Sequence, residues 1–433
     1  MAWLKSMSER NSPGWWPKVG LLAAGMLAMV ARAPIFFLEP RFWAEEGSRN
    51  FAYAFSHGWY ALFLYNFRGY FSLFDRVAAL AALYLVDLEH APLVTTLLAL
   101  LVQTLPLALV LWSESRPWDT IPGKLLGMAI ILLTPLTGEI WLNTINSQFY
   151  FSLATFLILL EDTDSQSRLR SGVYAFLLAL AGLTGVVSCF LAPLFVLKAW
   201  RQRTRASRIQ AMLLVACAML QAICLVLFAD QVTGREMAVR PLDILSVLWV
   251  KTLVLPLLGP DVAARFAQHV RGVRLLGLLE YSALSSVLLL VAVALFALLL
   301  RGRERHKAAL ILGAYLIVGV LSIVTAAADE VTLIDAWVGQ RYFYAPSVMV
   351  MVLLLMRALT WEAPKGRWVA VLCLVVLFIS LSIGLAHYRG TLIVGEDWPT
   401  WRDEVAMWRS NPDYALQIWP EGWSVRLVPK RLQ

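Results

Sequence analysis

Charge is scarce in this chain. Only 15% of its 433 residues are Asp, Glu, Lys or Arg, while 60% are hydrophobic; a soluble domain carries about 25% charged residues. Mean hydropathy is +0.68. That shortage excludes a water-soluble globule and leaves a polytopic membrane protein. Cysteine is rare as well. Cys189, Cys217, Cys224 and Cys373 all fall inside apolar segments and form no Cys-x-x-Cys pair, which argues against a disulfide framework or a zinc site. They read as small apolar residues in helices. Five scattered histidines, none paired at ligand spacing, give no His-rich metal site. Gly-x-Ser-x-Gly, Walker A and His-Glu-x-x-His runs are missing. So are a soluble domain, a short-period repeat and an inverted repeat of the kind many secondary transporters carry.

What the chain does have is apolar blocks. A helix needs about 20 residues to cross a hydrocarbon core of about 30 Å. Clear blocks lie near 19–38, 91–112, 123–138, 144–160, 172–185, 186–199, 209–229, 281–300, 308–328, 343–359 and 368–387. Two further stretches, 70–87 and 242–258, are ambiguous. Eighteen Trp and thirteen Tyr suit interfacial aromatic belts. Pro34 follows Ala31-Arg32-Ala33 and would block a leader cleavage there, so 19–38 reads as an uncleaved first helix.

Basic clusters set the orientation. The net charge of +8 sits in short loops, which is a topological signal and no sign of a nucleic-acid partner. Arg201–Arg208, Arg301–Lys307 and the Lys365/Arg367 loop belong to the cytoplasmic side. An even number of crossings must therefore separate 208 from 301, so 242–258 is expected to be embedded without crossing, as is 70–87 with Asp75, Arg76 and Asp87. The expectation is an all-α polytopic membrane protein of about eleven transmembrane helices. Its N-terminus is cytoplasmic and its C-terminus outside. Residues 1–387 form the membrane domain, with outer loops at 39–90 and 230–280, and 388–433 form a short outer tail. The Gly182–Gly185 turn between two short helices is expected to leave a cavity below the outer surface.

Ionisable chemistry concentrates at Glu39–Arg49, directly after the first helix. Glu45 and Glu46 are adjacent carboxylates beside Trp43, Arg41 and Arg49. Mutual repulsion and a low-dielectric edge raise the pKa of at least one, and a carboxylate so placed can take a proton from a hydroxyl. The alternative is a pair of solvated loop charges paired with Arg41 or Arg49. A second group is the outer turn Gly138–Gln148. Its Glu139, Asn143, Asn146 and Gln148 could bind sugar hydroxyls, because amides both donate and accept; helix capping is the competing role. The third is Gly339–Pro346. Arg341, beside Tyr342, could fork onto a phosphate, or simply snorkel to the interface. Arg68, Tyr70, Arg76, Arg235, Arg240 and Lys251 are weaker candidates of the same kind. Asp162-Thr-Asp164 has the form of a metal-holding Asp-x-Asp motif, but it lies on the cytoplasmic side with no nucleotide-binding pattern around it.

Phe42-Trp-Ala-Glu-Glu-Gly47 after a first helix, Asn146-Ser-Gln148 at an outer turn and Arg341-Tyr342 before a helix together resemble the GT-C superfamily of integral membrane glycosyltransferases. Within it, the chain is similar to bacterial proteins of surface-polysaccharide clusters. The resemblance implies a sugar donor on a polyprenyl phosphate or pyrophosphate, a glycan or lipid acceptor, and transfer on the periplasmic face of the bacterial inner membrane. It implies that Glu46 or Glu45 is the base, with Glu46 favoured by position, and that Arg341 stabilises the departing phosphate. It calls for no cofactor and leaves metal dependence open. The C-terminal periplasmic domain of some members is reduced here to a short tail. Two other expectations compete with it. One is a transporter or flippase for a lipid-linked substrate, which would want charges along a path through the bilayer. The other is an O-antigen ligase or polymerase, to which Arg235, Arg240, Arg265, His269, Arg271 and Arg274 of the 230–280 loop would point.

Overall fold

A computed structural model describes residues 13–65, 69–135, 137–163, 166–229, 240–302, 304–326, 330–360, 363–389 and 398–428. The chain is nearly all-α. The main helices are α1 (Trp15–Arg32), α2 (Leu73–Tyr84), α3 (Ala91–Trp112), α4 (Ile121–Leu133) and α5 (Ser147–Leu159). They are followed by α6 (Arg168–Leu183), α7 (Ala192–Gln202), α8 (Arg205–Leu227) and α9, the continuous helical stretch Pro241–Leu258. After these come α10 (Pro260–Leu276), α11 (Leu278–Leu299), α12 (Arg305–Val324), α13 (Tyr344–Leu359), α14 (Ala363–Ala386) and α15 (Trp401–Ser410).

Among the described residues, six helices are long and apolar enough to cross a membrane: α3, α8, α9, α11, α12 and the Arg367–Ala386 part of α14. This makes the chain a multi-pass membrane protein. Length and composition do not reach the expected eleven crossings. Apolar helices α4, α5 and α13 are shorter, and α1 is diluted by Lys18 and Arg32. Helices α5 and α13 nevertheless form the centre of the molecule. Every residue of α5 is buried, as is every residue of α13 from Tyr344 to Ala358.

The bundle has two chemically distinct ends. The basic hairpin between α7 and α8 meets the start of α12 at one end, where Lys307 pairs with Asp162 at 2.8 Å and Arg116 with Glu304 at 3.8 Å. Two of the basic segments expected on the cytoplasmic side, 201–208 and 301–307, thus lie together. The opposite end holds the start of α3, the 138–146 turn, the 339–342 turn and the end of α14. Helix α9 has both of its termini near that second end. Asp243 accepts a hydrogen bond from Tyr281, in the first turn of α11, at 2.7 Å. Gly259 abuts Ile383 near the end of α14.

The tail docks on the first loop. Residues 398–428 contain α15 and a hairpin, β1 (Leu416–Ile418) antiparallel to β2 (Trp423–Val425). This hairpin is the small departure from an all-α chain. Thr400 and Asp403 cap α15 reciprocally, a motif that fixes a helix start. Phe42 and Phe51 share an apolar cluster with Trp401, Val405 and Ile418. Trp419 donates its N–H to Phe42 at 2.9 Å and accepts from Ala44 at 2.5 Å. Arg41 is buried in this joint, paired with Glu404 at 3.2 Å and facing the rings of Trp398 and Trp419.

The cavity expected at the Gly182–Gly185 turn is filled. Gln148 lies against Gly185 and Cys217 against Gly182, where a Cβ on either glycine would clash. Gln221 Nε2 also donates to the Gly182 carbonyl at 2.8 Å. The missing side chains admit neighbours rather than opening space. The four cysteines are buried free thiols.

Candidate functional site

Glu46 opens a six-residue π-helical turn that runs to Phe51. Its side chain is buried, 3% exposed. Thr144 donates to Oε2 twice, by its backbone N–H at 2.7 Å and its hydroxyl at 2.5 Å. The Thr95 hydroxyl donates to Oε1 at 2.7 Å, and the Trp43 N–H approaches the same oxygen at 3.5 Å. A carboxylate offers about four lone-pair sites, and here the two threonines supply the close donors, with the Trp43 N–H more distant. Burial pushes the Glu46 carboxyl up from its ordinary range, and the donors from Thr144 and Thr95 pull it part of the way back. Glu45 next to it is only half-buried. Arg41 pairs with Glu404. Arg49 is exposed.

The backbone around this carboxylate is unusual. Ala44 and Leu142 both take positive φ, 40° and 51°, a region that costs a side-chain-bearing residue about 1–3 kcal/mol. Each lies two residues from a partner in the Glu46–Thr144 contact. Trp419 accepting from Ala44 N–H holds one of the two in place.

The turn after α4 carries the connection onward. The Glu139 carbonyl accepts from Asn143 at 3.0 Å and from Asn146 at 2.9 Å, and the two amides bond each other at 2.9 Å. The Glu139 carboxylate pairs with the Arg341 guanidinium and also accepts the Arg341 N–H at 3.3 Å. Both side chains are partly open to solvent. The guanidinium lies over the Tyr342 ring, which packs edge-on against Phe149. Three sequence-distant segments, 43–46, 138–148 and 339–342, therefore meet through direct bonds.

Gln148 joins from the first turn of α5, donating to the Tyr70 hydroxyl at 3.0 Å. Its Oε1 is buried and accepts no hydrogen bond among the described residues. Arg76 does not belong to the cluster. It donates to the carbonyls of Phe63 and Tyr65 at 2.7 and 2.8 Å and so braces the first loop. Arg68 and Arg235 lie outside the described residues. Asn143 and Asn146 are buried, and their amide hydrogens serve the turn itself.

Behind Arg341 is a narrow recess lined by Lys251, Gln340, Phe343, Tyr344 and Ser347, with room for about one water molecule. Lys251 is 2% exposed and donates to the Val338 carbonyl at 2.5 Å. It comes from a π-helical turn within α9, a geometry frequent at functional sites. No group of three or more His, Cys, Asp or Glu able to hold a metal occurs among the described residues. Asp162 of the Asp-x-Asp run sits at the other end of the bundle with Lys307.

Thr95 and Thr144 are the partners of Glu46 that the sequence did not single out. Thr144 lies inside a segment already marked as polar, but Thr95 carries no local signal. No family model matches the chain, and no curated protein or solved structure matches it either.

Proposed function

We propose that the chain is a GT-C-like glycosyltransferase of the bacterial inner membrane. It would move a sugar from a polyprenyl phosphate or pyrophosphate to a glycan or lipid acceptor on the periplasmic face. The observation that carries this reading is the meeting of Glu46, Thr144, Glu139 and Arg341 at one end of the bundle. That end faces away from the basic loops, which the positive-inside bias assigns to the cytoplasm. The proposal includes about eleven crossings, with α2 and α9 embedded in the outer half.

The two glutamates take different roles in this proposal. A base must lie where the hydroxyl it deprotonates can reach it. Glu46 is 3% exposed and holds Thr95 and Thr144, so it positions the loop. Glu45, reached by solvent, is the base. The acceptor oxygen forms a bond to the anomeric carbon as the bond to the phosphate oxygen breaks. The acceptor proton goes to Glu45, and the bonding pair leaves with the phosphate. Arg341, held by Glu139, stabilises the charge that develops there. One displacement inverts the anomeric centre.

Purified protein in vesicles with a polyprenyl-phosphate-linked sugar provides the test. Glu45→Gln is expected to abolish transfer and Arg341→Ala to reduce it at least tenfold. Glu46→Gln is expected to leave measurable transfer. Full transfer by Glu45→Gln would remove it as the base, and sugar-lipid movement without a new glycosidic bond would replace the enzyme with a transporter.

A further inference from the structure

At the basic end of the bundle, α7 and α8 diverge from a tight turn and flank an open groove of about 620 Å³. Its walls are apolar, built from Val196 and Ala199 on α7 and from Ala211, Met212 and Val215 on α8. Two arginines close its mouth. Arg203 sits just after α7 in a left-handed conformation, φ 56°, and Arg208 lies in the first turn of α8. Both are exposed, and among the described residues neither side chain has a carboxylate partner. Trp200 stands beside them, 68% exposed.

The other side of α7 differs. There a cavity of about 320 Å³ brings Lys198, Arg201 and Lys307 together with Glu161, Asp162 and Glu304. Acids of this chain line that side with the cations, and Lys307 is already paired with Asp162. The two arginines of the groove have positive charge that no carboxylate among the described residues answers, at the head of an apolar channel on the bilayer side. A soluble anion would leave the channel empty, and a neutral lipid would leave the charge unanswered. An amphiphile with an anionic head and a long apolar tail satisfies both.

We propose that this groove binds one anionic diacyl phospholipid. Arg203 and Arg208 fork onto its phosphate, one acyl chain lies between Val196 and Met212, and Trp200 rests at the headgroup level. The site is independent of the sugar-transfer reading, because it lies at the opposite end of the bundle and shares no residue with it.

The test is native mass spectrometry of the full chain in detergent, titrated with phosphatidylglycerol or with phosphatidylcholine of the same chains. The wild type is expected to retain one phosphatidylglycerol in preference to phosphatidylcholine. Arg203→Asn combined with Arg208→Gln should lower that affinity by about tenfold or more; Asn tolerates the left-handed backbone. Ala211→Trp, which fills the groove, should abolish retention, with thermal unfolding showing whether the variant is folded. Arg205→Gln, on the same hairpin but outside the groove, should change nothing. The proposal is overturned if Arg205→Gln weakens binding as much as the double variant, since that signals diffuse surface charge. Displacement of the lipid by glycerol 3-phosphate, which has no chains, or equal retention of phosphatidylcholine would overturn it too.

Discussion

Glu46 and Glu161 bracket the same two helices, α3 and α5. Glu46 takes hydrogen bonds from Thr95, early in α3, and from Thr144, just ahead of α5. Glu161 follows the end of α5 and accepts from Ser113, which caps the end of α3, and from Tyr174 at 3.3 Å. Both carboxylates are buried, and burial pushes both up from their ordinary range. Their surroundings differ in charge. Helix N-termini present free N–H groups and a partial positive charge, so an anion is favoured there without a cation. Helix C-termini present carbonyls and partial negative charge. At that end the chain supplies two buried lysines. Lys198 donates to the carbonyls of Leu159 and Glu161 at 2.8 and 2.6 Å, and Lys124 to that of Ser113 at 2.5 Å. The direction of the helix decides whether neutral donors are enough. Lys124 and Lys198 act as caps for the carbonyls at these helix ends.

Removing a lysine should do the most damage. Lys198→Met strands several carbonyls and the Glu161 charge, and a cost of about 3 kcal/mol or more is expected. Thermal unfolding in detergent would measure it. Adding Glu161→Gln should recover part of the loss; a simply additive double variant would break the proposed coupling. Glu46→Ala is next, at about 2–3 kcal/mol, because the Thr144 N–H and hydroxyl and the Thr95 hydroxyl lose their acceptor. Glu46→Gln should cost less, since it keeps one carbonyl oxygen.

The third prediction concerns pH. A carboxyl whose folded pKa is raised binds its proton more tightly in the folded state than in the unfolded state. Its charged form therefore weakens the fold above the folded pKa, and that penalty is relieved as pH falls through the folded pKa toward the unfolded value, about 4.3. Wild type should gain stability relative to Glu46→Gln as pH is lowered across this window. A relative loss would mean that the donors outweigh burial. The smallest effect on stability belongs to Glu139→Gln. Its pair with Arg341 is partly exposed, so about 1 kcal/mol or less is expected. Sugar transfer in vesicles should nevertheless drop about tenfold if Glu139 aims the guanidinium.

Helices were the legible part of the fold. The block 91–112 coincides with Ala91–Trp112, and 343–359 is matched within a residue by Tyr344–Leu359. The ambiguity of 242–258 was also genuine. Composition makes it a span, while Asp243 and Gly259 anchor both its termini near one end of the bundle. In the candidate site, Glu46, Glu139, Asn146 and Arg341 stood out because a polar group beside an apolar run is expensive. Thr95 and Glu404 did not. A threonine in a helix usually bonds its own preceding turn, and Thr95 also donates to Pro92. Its second role depends on a residue 49 positions away, and Glu404 meets Arg41 across 363.

The sequence alone determined the class of molecule, because hydrophobic blocks and basic loops act through the solvent each one prefers. It also marked which polar residues would be costly to bury. Only the tertiary structure decided what each buried group would bond. Glu46 became a buried anchor held by Thr95 and Thr144, and Glu45 a half-buried carboxylate, although the two are neighbours of identical chemistry. Inside a bilayer-sized bundle a buried carboxylate must find its donors among whatever the fold brings within 3 Å or so, and no local pattern records which residues those will be.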